Sequence, residues 1–211
     1  MKLFFLFITS VLSLQQFSID SKDWNKGNVT LLNNNVLSGQ VLMCEEVQLL
    51  LLKQGEITTI FAPDSVKSFS YHDKTSDEMR HFVTKEIKGV SKSEVVFFEL
   101  IVQGEVPLFK SHKYLEKDRS GNLVEVKNSP YPFYEWSDYS YYVVMNQELI
   151  NLYSFKKEIY PKLKRTHPEE LHSYVKKKRL GLSNPTDQVK ILKFYNELLE
   201  ERKTAAAGNK E

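Results

Sequence analysis

The stretch Trp24–Gly39, WNKGNVTLLNNNVLSG, has the pattern of a tight antiparallel hairpin and indicates the class of fold. Two short apolar segments, Val29–Leu32 and Val36–Leu37, flank three consecutive asparagines. Asparagine tolerates the left-handed backbone that a short hairpin loop requires. Residues 33–35 are therefore predicted to form a hairpin loop, and the chain is predicted to begin an antiparallel sheet.

Short, closely spaced strand-like segments continue this pattern as far as residue 153. Parallel strands need crossover connections of about a dozen residues or more, which these gaps do not provide. We therefore expect an antiparallel β-meander or a small barrel-like β unit over residues 24–153. Further strand-like segments lie at 40–52, 57–61, 66–72, 81–87, 94–103, 106–110, 123–126 and 139–152.

From residue 154 the apolar period becomes that of helices. Pro168 follows two possible capping residues, Thr166 and His167, and Lys176–Arg179 would end that helix. A second helix begins after a capping Asn184. Its apolar positions at helical spacing are Ile191, Phe194, Tyr195 and Leu198.

A shorter helix or turn is predicted around residues 155–163, limited by Pro161. The predicted fold class is therefore α+β, with two to three C-terminal helices over 154–203 packed on the β-rich part. The sequence indicates a single domain over 24–203 and a disordered tail over 204–211, TAAAGNKE.

The first residues, MKLFFLFITSVLSLQQFSIDS, have the layout of a secretory signal peptide. One lysine precedes an apolar run, Leu3–Leu14, that is well short of the roughly 20 residues needed to span a bilayer. The alternatives are a buried N-terminal strand and a retained anchor. We expect a signal peptide over about residues 1–19, export to the periplasm, outer membrane or exterior, and no transmembrane helix in the mature chain.

Charge and cysteine content exclude several classes of function. The formal net charge is +2, and residues 154–203 alone carry 13 Lys and Arg against 7 Asp and Glu, so residues 1–153 carry a net −4. The lysine run near the end of a helix has only four charges, which does not favour nucleic-acid binding. A single cysteine, Cys44, excludes an intramolecular disulfide and a four-thiolate metal site. We expect neither a metal nor another cofactor.

His72 and Asp73, in the stretch VKSFSYHD, form the most suggestive pair for catalysis. Adjacent residues of a strand point to opposite faces, so the two side chains can cooperate only if the chain turns there. Phe69 and Tyr71 alternate with the serines, which predicts the two rings on one face and His72 on the other. The favoured interpretation is a strand end, with His72 kept as a possible ligand contact.

The most aromatic segment, YPFYEWSDYSYY at residues 131–142, is the second candidate site. If it is exposed, its rings would form a stacking platform for a sugar or a peptide. If it is buried, they would belong to the core and rim of the sheet. The predicted ligand-binding residues are Tyr134, Trp136 and Tyr139, together with His72.

Several short motifs resemble a family of exported proteins of unknown function that is common in Bacteroidota. They are Trp24-x-x-Gly27-x-Val29-x-Leu31, Val36-Leu37-x-Gly39-x-Val41, Ser65-Val66-x-Ser68-Phe69-x-Tyr71-x-Asp73, Phe97-Phe98-Glu99 with Gly104-x-Val106-x-Leu108, Tyr141-Tyr142, and Tyr195-Asn196. The resemblance covers about residues 24–200. It implies a β-rich envelope protein with a helical C-terminus, and it implies no activity.

Two hypotheses for the function follow. The favoured one is a non-enzymatic binding or structural module of the cell envelope, whose partner is an envelope protein or a glycan. The alternative is a small β-barrel-like carrier or hydrolase with a pocket near His72 and Asp73. The sequence contains no P-loop, nucleophile elbow or dinucleotide fingerprint that would favour an enzyme.

Overall fold

The computed structural model describes residues 24–88, 93–112, 115–117, 123–125 and 139–208. The predicted signal peptide lies outside these ranges. In the described residues the chain forms twelve strands followed by three α-helices. Ten strands build one antiparallel sheet, and the other two pair with each other. The predicted α+β class, with helices after the sheet, is confirmed.

The strands are β1 (Asn25–Leu31), β2 (Val36–Cys44), β3 (Leu49–Gln54), β4 (Ile57–Phe61), β5 (Val66–Asp73), β6 (Glu78–Lys88), β7 (Ser93–Val102), β8 (Leu108–His112), β9 (Leu115–Lys117), β10 (Leu123–Glu125), β11 (Tyr139–Met145) and β12 (Glu148–Asn151). The helices are α1 (Tyr160–Thr166), α2 (Pro168–Lys178) and α3 (Pro185–Gly208).

The first hairpin forms as its asparagines predict. Strands β1 and β2 pair antiparallel with Val29 opposite Leu37, and Asn34 has a left-handed φ of 65°. The Leu31 amide donates to the Asn35 carbonyl over 2.9 Å, which closes the loop.

The sheet grows in both directions from this hairpin. Its strand order is β12-β11-β8-β7-β6-β5-β1-β2-β3-β4, and every pair is antiparallel. The sheet is open, because no described strand pairs with the outer side of β4 or β12. After β4, at one edge of the sheet, the chain returns to the middle of the sheet. There β5 pairs with β1, which lies three strand spacings from β4.

The short connection from β4 to β5 requires the sheet to curl. Strands β4 and β5 are four strand spacings apart, which is about 19 Å in a flat sheet. The five steps from Phe61 to Val66 reach at most about 17 Å when extended, and Pro63–Ser65 shortens them with a 3-10 turn. A flat sheet is therefore excluded.

Gln48 confirms the curl directly. It lies just before β3, which is five strand spacings away from β7 in the sheet, yet its Oε1 accepts a hydrogen bond of 2.7 Å from the Phe97 amide. The side-chain nitrogen of Gln48, Nε2, also donates to the Glu45 carbonyl over 2.8 Å. The Gln48 side chain thus connects β7 to the segment before β3 across the open side of the curled sheet.

Two glycines make the tight curl possible. Gly27 and Gly39 are opposite each other in β1 and β2. A Cβ on Gly27 would lie 2.4 Å from the Ser70 carbonyl oxygen, and one on Gly39 would lie 2.5 Å from the Lys53 carbonyl oxygen. Backbone therefore occupies the space that a side chain would need.

The first core fills the interior of the curl. Phe69 stacks on Phe82 with ring centroids 4.4 Å apart and meets Phe97 edge-on at 5.1 Å. Phe69 and Tyr71 are buried together, as their alternation with the serines predicts. The other buried members are Val29, Val41, Leu50, Leu52 and Val66.

The second core lies between the same face of the sheet and the helices. It joins buried residues of β7, β8, β11 and β12 to apolar residues of all three helices. Asn196 of α3 fixes the docking: its side chain accepts from the Val106 amide and donates to the Val106 carbonyl, both at 2.9 Å. Gly104, with φ of 140°, leaves room for the side chain of Asn196, because a Cβ on Gly104 would lie 2.4 Å from the Asn196 Oδ1 atom.

The helix ends follow the sequence signals with three differences. Asn184 caps α3 as predicted, accepting from the Thr186 amide over 2.9 Å. Arg179, predicted to be the last residue of α2, lies just after it in the left-handed conformation. Pro161 lies in the first turn of α1 and follows a π-helical turn, so it begins that helix. Helix α3 continues to Gly208 and includes residues 204–208 of the predicted tail, which contain three alanines.

Replacing Phe69 with Ala should lower the free energy of unfolding by about 3–5 kcal/mol, because it removes a buried ring from the first core. Urea denaturation would measure the change. Ser70→Ala, on the opposite face of the same strand, is the control and should change the stability by at most about 0.5 kcal/mol. Equal effects of the two substitutions would contradict the assignment of Phe69 to the core.

Replacing Asn196 with Ala should lower the free energy of unfolding by about 2 kcal/mol or more. The buried N–H and C=O of Val106 would both lose their partner, at about 1–3 kcal/mol for each group. Glu197→Ala, at the next and exposed position of α3, is the matched control. An unchanged urea midpoint for Asn196→Ala would show that the helix docks by apolar contacts alone.

Candidate functional site

A cluster of ion pairs lies on the inner face of the sheet, between the first and the second core. Arg80 of β6 contacts Glu99 of β7 through Nε and Nη2, both at 2.7 Å. Lys110 of β8 contacts the same carboxylate at 2.5 Å, and Glu45 accepts from Arg80 over 2.9 Å. Asp73 lies 3.8 Å from Arg80 at the rim. We call these five residues the ion-pair cluster.

Cross-strand register brings the cluster together. Residues directly opposite each other in antiparallel strands project from the same face. Glu99 is opposite Lys110, and Tyr71 is opposite Arg80. The Arg80 guanidinium also lies over the Phe82 ring, 5.1 Å from its centroid. The aromatic core and the charged row are therefore adjacent parts of one face.

The surroundings hold the cluster in its ionised form. Burial acts to raise the pKa of Glu99, but hydrogen bonds from Arg80 and Lys110 outweigh it, so that the pKa lies below its ordinary value of 4.5. Burial acts to lower the pKa of Arg80, and the contacts with Glu99 and Glu45 raise it above its ordinary value. Burial raises the pKa of Tyr71. Glu99 is thus a poor proton acceptor.

The cluster is suited to positioning strands and not to proton transfer. A general base near neutral pH needs a carboxylate whose pKa is raised, and Glu99 has the opposite shift. This cluster is not among the sites predicted from the sequence. Its signal is present: Glu99 ends the apolar run Val95–Phe98, and an inward charge in a central strand requires a buried partner.

His72 and Asp73 lie on opposite faces of β5 and do not form a pair. His72 is half-exposed on the outer face, and its Nε2 lies 3.1 Å from Asp77. Asp73 accepts from the Thr75 amide over 2.8 Å, and this hydrogen bond is the main reason that its pKa is lowered. The carboxylate caps the β5–β6 turn and has no free proton-accepting role.

The aromatic residues predicted as ligand contacts do not lie beside His72 in the described part of the chain. Tyr139 begins β11 on the inner face, where the Lys110 ammonium lies 4.4 Å from its ring centroid. It therefore belongs beside the ion-pair cluster, on the face opposite His72. Tyr134 and Trp136 lie outside the described residues.

The outer face of the first strands forms an open groove of about 920 Å³. The groove runs across β1, β2 and β3 on the face opposite the aromatic core. We call it the outer-face groove. Its lining residues are Lys26, Gly27, Asn28, Ser38, Gly39, Gln40, Lys53, Gln54, Gly55 and Met79.

The groove presents polar groups in cross-strand rows. Ser38 donates to the Asn28 side chain over 2.8 Å, and the Gln54 amide donates to the Ser38 carbonyl over 2.9 Å. These contacts order the side chains on the floor of the groove. Gln40 is opposite both Lys26 and Lys53. Within the described part of the chain, neither lysine forms an ion pair, so their ammonium groups are free for a ligand.

Other indications of identity are few. No protein-family model, no curated protein and no solved structure matches this chain. In the ranges that the structure covers, no helix is both long and apolar enough to cross a membrane. Among the same residues, no three His, Cys, Asp or Glu side chains are grouped so that they could hold a metal ion.

Stability should fall in acid because of Glu99. A carboxylate whose pKa is lowered by folding stabilises the folded state above its unfolded pKa of about 4.5 and loses that contribution as the pH falls through its lower folded pKa. We expect urea midpoints to decrease between about pH 5 and about pH 3. In Glu99→Gln the protein should be less stable at neutral pH and its midpoint should change less in acid.

The matched control for this pH dependence is Glu56→Gln, which removes the same charge from an exposed turn. Its acid profile should parallel that of the unsubstituted protein. A Glu99→Gln variant with an unchanged acid profile would show that other carboxylates cause the acid sensitivity.

Proposed function

We propose that this chain is an exported cell-envelope protein that acts by binding and not by catalysis. The observation that carries the proposal is the outer-face groove, where Lys26, Lys53 and the amide of Gln40 are open to solvent and have no partner among the described residues. Polar groups without a protein partner can exchange water for a ligand. The charged groups of the inner face, in contrast, already bind one another.

Export is supported by the N-terminal sequence. A single lysine and an apolar run too short to span a bilayer are typical of a signal peptide. The resemblance to exported Bacteroidota proteins favours the same destination. The mature protein would then work in the periplasm, at the outer membrane or outside the cell.

A binding role is also favoured over a pocket enzyme by the packing of the curl. Small β-barrels that carry ligands or substrates enclose them inside the barrel. Here the interior of the curl holds Phe69, Phe82 and Phe97 in mutual contact. The space that a carrier would offer to its ligand is filled by this aromatic core.

The partner is an envelope component, either a glycan or another protein. The groove is open to solvent and its lining extends over β1, β2 and β3, so a ligand can lie across these strands. Tyr134 and Trp136, predicted from the sequence as ligand contacts, remain additional candidates. The lysines, amides and hydroxyls of the groove are suited to a polar partner, since they offer hydrogen bonds and charge.

The test is affinity purification of the tagged full chain from its own organism, with envelope fractionation and N-terminal sequencing. We expect recovery from the envelope fraction, loss of the leader, and a partner retained by the protein. Gln40→Trp should abolish that retention because the indole would fill the groove floor. Ser173→Trp, on an exposed position of α2, should leave it unchanged.

Two outcomes would contradict the proposal. Recovery from the cytosol with residues 1–13 still attached would exclude export. Equal retention of the partner by Gln40→Trp and by the unsubstituted protein would exclude the outer-face groove as the contact surface.

A further inference from the structure

The outer-face groove has a charge that differs from its surroundings. Residues 1–153 carry a net −4, yet the described residues lining the groove include two lysines and no Asp or Glu. Lys26, Gln40 and Lys53 lie in one cross-strand row, so the lysine backbones are two strand spacings, or about 10 Å, apart. Two cations flank a neutral amide.

From this row we infer that the groove binds an acidic oligosaccharide through its carboxylates. The inference rests on the proposed binding function and specifies its ligand. Lys26 and Lys53 would each contact a uronate carboxylate, since an ammonium group favours a carboxylate partner. Gln40 and the neighbouring Asn28 and Ser38 would exchange hydrogen bonds with the sugar hydroxyl groups.

The lining residues favour a sugar over other anionic ligands. Asn28, Ser38, Gln40 and Gln54 offer both donors and acceptors, which neutral hydroxyl groups need and a phosphate cannot fully use. Met79 adds an exposed apolar side chain at the border of the groove, against which the C–H face of a pyranose ring can pack. An anion without hydroxyl groups would use only the two lysines.

Nucleic acid fits the groove less well than a uronate. Its affinity comes from many phosphate contacts, and the described lining offers only two cations. Single-stranded nucleic acid also relies on aromatic side chains on which its bases stack, and none lines the groove in the described part of the chain.

The affinity should depend on salt in a defined way. Both lysine side chains are exposed, so their attraction to a carboxylate is screened by added ions. Hydrogen bonds to hydroxyl groups are much less sensitive to salt. Binding of an acidic oligosaccharide should therefore weaken with salt by a modest factor, consistent with two charge contacts.

The experiment is isothermal titration of the purified full chain with tetragalacturonate. The matched ligand is its methyl ester, which keeps the hydroxyl groups and removes the charges, and the anion control is inorganic phosphate. We expect binding of the acid, at least a tenfold loss with the ester, and no measurable binding of phosphate. Equal binding of acid and ester, or binding of phosphate alone, would overturn the inference.

Variants locate the contact on the groove. Lys26→Gln with Lys53→Gln should reduce the affinity for tetragalacturonate at least tenfold, whereas Lys26→Arg with Lys53→Arg should retain most of it. The control is Lys156→Gln with Lys157→Gln, which removes two exposed positive charges before α1. An equal loss in the control would show non-specific charge attraction and would overturn the assignment.

The inference and the proposed function fail separately. If the protein retains an envelope partner through the groove but does not bind tetragalacturonate, the ligand class is wrong and the binding function stands. If Gln40→Trp leaves partner retention intact while the lysine variants lose the sugar, the acidic-sugar site stands and the proposed contact with that partner is wrong.

Discussion

The four-residue connection between β4 and β5 determines the shape of the sheet. It is too short to cross three strands of a flat sheet, so the strands on either side must curl toward each other. Gly27 and Gly39 allow this, because neighbouring backbone occupies the places where their side chains would be. The aromatic core, the Gln48 bridge and the outer-face groove all depend on this curl. A longer connection would remove the constraint that produces them.

The ion-pair cluster connects the two halves of the molecule. The curl is filled by aromatic side chains, and the helices cover a second apolar core on the same face. Arg80, Glu99 and Lys110 form a charged row between these cores, where each charge has a partner. A buried charge without its partner is costly, so the row restricts how β6, β7 and β8 can align. Asn196 adds a comparable polar restraint between α3 and Val106.

The division of polar groups between the two faces is the basis for the functional proposals. On the inner face the charged side chains satisfy one another, and a ligand would have to break those contacts. On the outer face Lys26, Gln40 and Lys53 have no protein partner in the described ranges and can bind a ligand without such a cost. The same alternation along β5 places His72 and Asp73 on different faces, although they are adjacent in sequence.

Local sequence patterns account for the elements that depend on neighbouring residues. Asn33–Asn35 specified a hairpin, Asn184 and Pro185 specified a helix start, and alternation placed Phe69 and Tyr71 inward, because these signals act over a few residues. Tertiary packing sets which distant residues meet: β5 pairs with β1, Glu99 contacts Arg80 and Lys110, and Asn196 binds Val106. Those contacts join residues that are far apart in the chain, and short-range patterns carry no information on which distant strands become neighbours. The outer-face groove has the same origin, since its lysines become neighbours only through the register of three paired strands.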